Sequence, residues 1–160
     1  MVKRSAGLLM YRHPAGDLEV FLIHPGGPFW KNKDLGAWSL PKGEYPETEE
    51  PFAAAVREFE EETGVQPEGE FIPLGEIRQS GAKVVTAWAF EGDCDAAAIK
   101  SNLFSMEWPR GSGRMLEFPE VDRGGWFSLA AARLKILKGQ AGFLDRLAAH
   151  LGYSLGSSRS

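Results

Sequence analysis

A mixed α/β (α+β) domain is predicted from three features of this 160-residue chain. Two β-suited runs, "SAGLLMYR" and "LEVFLIH", flank a turn-forming "HPAGD". One acidic amphipathic segment follows, and then a second pair of strand-like runs leads into two C-terminal helical stretches. The order strands, helix, strands, helix is that of a layered α/β or α+β domain.

Each element has a local cause. The first two runs are rich in branched and aromatic residues and are separated by Pro and Gly, which favours a hairpin. A loop rich in Gly, Pro and Lys, "PGGPFWKNKDLGA", leads to a short strand expected around Trp38 to Leu40. The acidic helix is expected to start from a Thr48 cap, to tolerate Pro51 in its first turn and to stop at Gly64. "FIPLGEIRQ" and "KVVTAWAFEG" form two more strands joined at Ser80-Gly81. Asp93 to Glu120 mixes its signals and is read mostly as a long functional loop with one strand. "GGWFS" ends the sheet, Ser128 caps a helix to about Leu137, and a last helix runs to about Leu151.

The length suits one domain, placed at residues 1–154, with "GSSRS" in a disordered tail at 155–160. The net charge of −4 argues against a dedicated nucleic-acid binder. Cys94 is the sole cysteine, which excludes an intrachain disulfide and a thiolate-rich zinc site and fits a reducing cytoplasm. No stretch reaches the ~20 apolar residues of a membrane span. No Gly-x-x-x-x-Gly-Lys-Ser/Thr phosphate loop is present, and His13, His24 and His150 match no catalytic pattern.

The acidic helix raises the sharpest question. Phe52, Ala53, Val56, Phe59 and Thr63 share one face at 100° per residue and should pack on the sheet. Glu58, Glu61 and Glu62 share another, where like charges repel. Arg57 can pair with Glu61 at i+4, and Glu60 points to solvent. Such a face either meets water or holds a hard cation such as Mg²⁺ or Mn²⁺, and helical spacing alone does not decide.

The wider spacing does decide. Gly43, five residues, Glu49, seven residues, Arg57-Glu58-Phe59, one residue, Glu61-Glu62, one residue and Gly64-Val65 follow in register. With 16 Glu, 19 Gly and 10 Arg in 160 residues, this set of four Glu, two Gly and one Arg arises by chance on the order of once in 10⁷ windows. The stretch resembles the Nudix box at every specified position. The resemblance implies an α/β/α sandwich around a mixed sheet, and Mg²⁺-dependent hydrolysis of a nucleoside diphosphate linked to another group.

Position by position, Glu58, Glu61 and Glu62 resemble the metal ligands, with the Lys42 carbonyl beside them. Arg57 resembles the arginine that orients the box glutamates, and Glu49 a structural glutamate. Gly43 and Gly64 resemble backbone requirements. The general base stays open between a box glutamate and a distal one. Glu120, six residues before Trp126, resembles the distal base of the diadenosine-tetraphosphate hydrolase branch; Glu117 is a poorer candidate.

The lead-in "WSLPKG" resembles branches acting on dinucleoside polyphosphates or diphosphoinositol polyphosphates. The Lys42 ammonium could then meet a polyphosphate. Lys31, Lys33, Arg78, Lys83, Arg110 and Arg114 could extend that surface; Arg110 and Arg114 are preferred because "WPRGSGRM" is basic and close to Glu120 in sequence. Trp30, Phe29, Trp88, Phe104 and Trp108 are available for base stacking; Trp30 and Trp108, in loops, are preferred, and Trp88 is read as core. The expected substrate is a dinucleoside polyphosphate or nucleoside triphosphate, ahead of nucleotide sugars, diphosphoinositols and 5′-triphosphorylated RNA. Two rivals remain: a Nudix domain that binds a nucleotide without cleaving it, and an isomerase on the same fold using Cys94. Monomer and homodimer are both compatible with the sequence.

Overall fold

The computed structural model describes residues 2–79 and 81–153. The tail expected at 155–160 lies outside these residues, as does Ser80 of the expected turn. Five strands form a path in the order β4-β5-β1-β2-β8, and a short sixth, β3, pairs with β1. The ranges are β1 Lys3–Arg12, β2 Glu19–Pro25, β3 Lys42–Glu44, β4 Phe71–Gln79, β5 Lys83–Glu91 and β8 Val121–Ser128. β1 and β5 run parallel while the other pairs are antiparallel, so the sheet is mixed.

β1 lies in the middle and is buried on both faces, which explains its unbroken apolar run. Ala6, Leu8 and Met10 point to one face, where Ala54, Ala55 and Phe59 of α1 (Pro51–Thr63) cover them. Leu9 and Tyr11 point to the other, under α2 (Leu129–Lys135) and α3 (Ala141–Leu151) through Ala132, Phe143, Leu144 and Leu147. Helices on both faces make the α/β/α sandwich.

Three local expectations need correction. Trp38 and Ser39 make only isolated bridges, and the strand begins three residues after Ser39, at Lys42, beside Gly7. Glu50, not Thr48, caps α1, its carboxylate accepting the Ala53 N–H at 3.1 Å. Pro51 at the first helical position leaves the residue just before it in the capping place. The helix is also rotated from the expected face: Ala53 is exposed, while Ala54, Ala55, Phe59, Glu62 and Thr63 are buried. That rotation carries Glu62 inward. Gly64 ends α1 at φ 76°, the left-handed conformation glycine adopts without strain.

The stretch read mostly as loop is a hairpin, β6 Leu103–Glu107 with β7 Met115–Pro119, forming its own two-stranded sheet. Ser128 caps α2 through the Ala131 N–H, as expected. Among the described residues no helix is long and apolar enough to cross a membrane.

Candidate active site

Arg57 organises the acidic face of α1. Its Nε and Nη2 donate to both oxygens of Glu49 at 2.8 Å. Its Nη1 donates to Glu58 at 2.9 Å and to Glu61 at 3.2 and 3.3 Å. One guanidinium therefore holds three carboxylates, the planar fork acting where a lysine's point charge would not. Glu49 holds Arg57 from the loop before the helix, and the bond to Arg57 lowers the Glu49 carboxyl from its ordinary value.

Gly43 makes room for Glu58. A Cβ added at Gly43 would lie 2.1 Å from the Glu58 carboxylate, so a side chain there would displace it. One turn further along the same face, Glu62 is only 8% exposed, and one oxygen accepts the Lys42 backbone N–H at 3.1 Å. Burial pushes its carboxyl up to about 8, with Glu58 adding to the rise. Burial also raises Glu58, against the pull of Arg57.

Glu120 belongs to the same electrostatic cluster. It raises both Glu58 and Glu62, and is itself raised by burial and by Glu61. The backbone explains the approach. The Asn102 N–H donates to the Glu61 carbonyl at 3.1 Å, and the Glu120 N–H donates to the Asn102 carbonyl at 2.8 Å. The base of the hairpin is thus tied to the end of α1.

Glu120 also lines two adjoining cavities. The larger, about 570 Å³, is walled by Phe29, Trp30, Phe104 and Met106 over the Pro25-Gly26-Gly27 turn. The smaller, about 220 Å³, reaches Lys42, Glu62 and Ser39. Trp30 borders both. An apolar slot therefore opens directly beside a carboxylate cluster.

A Nudix domain model matches residues 1–147. The chain belongs to the Nudix family. Over 68 residues it is 35% identical to the asymmetrical bis(5′-nucleosyl)-tetraphosphatase of Caenorhabditis elegans, a match spanning 42% of this chain and 45% of that enzyme. The matched region is thus under half the length of that relative. Two solved structures resemble it over most of its length. A C. elegans Ap4A hydrolase in a binary complex is 22% identical over 94% of this chain and 98% of that one, with a TM-score of 0.65. The NUDIX domain of Shewanella oneidensis NrtR complexed with ADP ribose is 18% identical over 94% and 89%, also with a TM-score of 0.65. At these identities the likeness establishes the fold.

The Nudix box residues fit a hard divalent cation by their chemistry. Glu58, Glu61 and Glu62 offer oxygen donors, and the raised carboxyls of Glu58 and Glu62 mark negative charge crowded into a partly buried place. In the arrangement seen, Glu58 and Glu61 turn toward Arg57 and Glu62 toward Lys42. Among the described residues no three such side chains close around one point.

Other sequence candidates separate. Trp30 reaches the cleft, whereas Trp108, Arg110 and Arg114 line neither cavity. They sit at the hairpin turn, where the Trp108 N–H donates to the Arg114 carbonyl. Proximity to Glu120 in sequence becomes about 20 Å of extended strand in space. Glu117 is exposed on the outward face opposite Ser105. Trp88 packs against Phe52 at 5.2 Å at the edge of the core, as expected. Burial pushes the Cys94 thiol up to about 11, and its small pocket lies at the C-terminal end of α1 beside Gly64 and Val65. Phe29 and Phe104, which the sequence offers for stacking behind Trp30 and Trp108, line the larger cavity, and Met106 beside Phe104 is a wall residue the sequence reading misses. Its signal was present: "LFSME" and "MLEFP" alternate apolar and polar residues about a Pro/Gly turn.

Proposed function

We propose that this Nudix domain is a divalent-metal-dependent hydrolase of phosphoanhydrides in a nucleoside diphosphate linked to another group. Dinucleoside polyphosphates and nucleoside triphosphates stand first among its substrates. The observation that carries this reading is Glu120, shared between an aromatic-walled cleft and the Arg57-organised carboxylate face. A nucleotide needs both: a planar apolar slot for its base and a cation-holding face for its phosphates. The names of the similar proteins support the nucleotide class.

Glu58, Glu61, Glu62 and the Lys42 carbonyl would hold Mg²⁺ or Mn²⁺. Such a cation neutralises phosphoanhydride charge and lowers the pKa of bound water. Arg57 keeps Glu58 and Glu61 oriented, so less reorganisation is needed on binding. Glu120 accepts the proton of the water that attacks phosphorus, while the P–O anhydride bond breaks toward the leaving phosphate. Burial lowers the Lys42 ammonium from its usual range, and its place on the smaller cavity's wall suits a phosphate contact. Phe29, Trp30 and Phe104 enclose the base. The raised Cys94 thiol argues against an isomerase with a reactive cysteine, and a lone thiol suits the cytoplasm.

The test is product release from diadenosine tetraphosphate, ATP and ADP-ribose, with Mg²⁺ or Mn²⁺ and with a chelator. Turnover of at least one, abolished by chelation, is expected. Tight nucleotide binding without turnover of any would replace the hydrolase with a binding module.

A further inference from the structure

His24 has no exposed surface. A buried imidazole needs a partner at each nitrogen, and the two come from the segments next to the cleft's walls, Lys33 three residues after Trp30 and Asp122 two after Glu120. Its Nε2–H donates to the Lys33 carbonyl at 2.6 Å. Its Nδ1 is paired with Oδ1 of Asp122 at 3.0 Å. The Trp38 ring holds the imidazole edge-on, with centroids 5.1 Å apart.

Lys33 controls the aromatic wall. Its backbone N–H donates to the Trp30 carbonyl at 2.9 Å, and its ammonium sits 4.1 Å from the centre of the Phe29 ring. Phe29 and Trp30 meet edge to face at 5.3 Å. Asp122 controls the other wall. His24 opposes Arg123 and Pro25 opposes Val121, so Asp122 is an extra residue in the ladder, a bulge. Bulges beside functional sites re-aim side chains, and here the bulge turns Asp122 onto His24. Two residues earlier stands Glu120, whose carbonyl accepts the Gly26 N–H at 2.9 Å.

We infer that His24 is a positioning residue: it sets the spacing between the Phe29–Trp30 wall and the Glu120 wall, and so the width of the slot for the planar group of the substrate. The inference rests on the reading of the cleft as a nucleotide site. His24 itself lines neither cavity and bonds only to the segments beside the aromatic and Glu120 walls, so it should act on the base-bearing part of the substrate and spare the anion contacts.

Diadenosine tetraphosphate as substrate and tripolyphosphate as a base-free competitive inhibitor separate the two. His24→Ala is expected to raise KM for diadenosine tetraphosphate about tenfold, with kcat changed under about threefold and the tripolyphosphate inhibition constant under about twofold. His24→Gln, which keeps an amide donor able to reach the Lys33 carbonyl, should recover most of the KM. Should His24→Ala fail to fold, Asp122→Ala read in the same two assays takes its place. Equal rises in KM and inhibition constant, or an unchanged KM in a folded variant, would overturn the inference and leave His24 a core residue. Wild-type protein that neither binds nor cleaves the dinucleotide would instead remove the nucleotide reading, and the inference with it.

Discussion

Helix α1 and hairpin β6–β7 meet at Glu120 from opposite directions. α1 and the loop before it bring charge: four carboxylates, Glu49, Glu58, Glu61 and Glu62, the first three held by one arginine. The hairpin and the loop facing it bring carbon: Phe104 and Met106 against Phe29 and Trp30. The first arrangement crowds like charges together, a repulsion that a bound cation would relieve. The second offers a surface whose value depends on what stacks against it. On the proposed function, chemistry and selection are housed in separate parts. Damage to the helix should lower kcat for every substrate, and damage to the cleft should raise KM for some.

The largest expected effect comes from Glu61→Gln. It removes one charge from the face proposed to hold the metal, while Arg57 keeps its two bonds to Glu49 and one to Glu58. Turnover should fall at least about 10²-fold on every substrate. The melting temperature should move little, because a half-exposed ion pair contributes at most about 1 kcal/mol. Equal turnover in the variant would break the comparison at its charged end.

Glu120→Gln comes next, since Glu120 stands where the two regions join. As general base it should cost about 10- to 100-fold in kcat with KM nearly unchanged. A drop under about threefold would return the proton to a box glutamate. A rise in KM alone would make Glu120 part of the cleft wall.

These two residues also show why one region was legible in sequence and the other was not. Glu58, Glu61 and Glu62 lie within one helix, so 3.6-residue periodicity and fixed spacing state their geometry directly. Gly43 is legible for the same reason, being bound by a close contact to a helix that follows at once. The rotation that buries Glu62 was not legible, because it depends on which helix atoms fit the sheet. The cleft joins three distant stretches, Pro25–Trp30, Phe104–Met106 and Glu120, and only tertiary pairing brings them together. Glu120 was found through its separation from Trp126; Phe104 had no such marker. Arg114 was placed near Glu120 by counting along the chain, and β7 carries it away.

A middle-sized effect sharpens the apolar side. Phe104→Ala should raise KM for ATP and diadenosine tetraphosphate about tenfold, the usual worth of one stacking partner. The effect on kcat should stay under about threefold. A comparable fall in kcat would mean that the hairpin reaches the reacting phosphates, and the division between the regions would fail.

The smallest effect is expected at the hairpin turn. Arg110 and Arg114 are exposed and line neither cavity, and salt screens exposed charges over a Debye length of ~8–10 Å. The double change Arg110→Ala, Arg114→Ala should alter kcat/KM for ATP less than about twofold. Diadenosine tetraphosphate is the more demanding probe, because its second adenosine and longer phosphate chain extend beyond a cleft that encloses one base. If the turn takes part in holding that outer half, kcat/KM for the dinucleotide alone should fall, and more steeply at low salt. Equal and small changes for both substrates would confine recognition to the walls around Trp30 and Phe104. A selective loss would show that the hairpin selects at both ends, its base against the first nucleotide and its turn against the second.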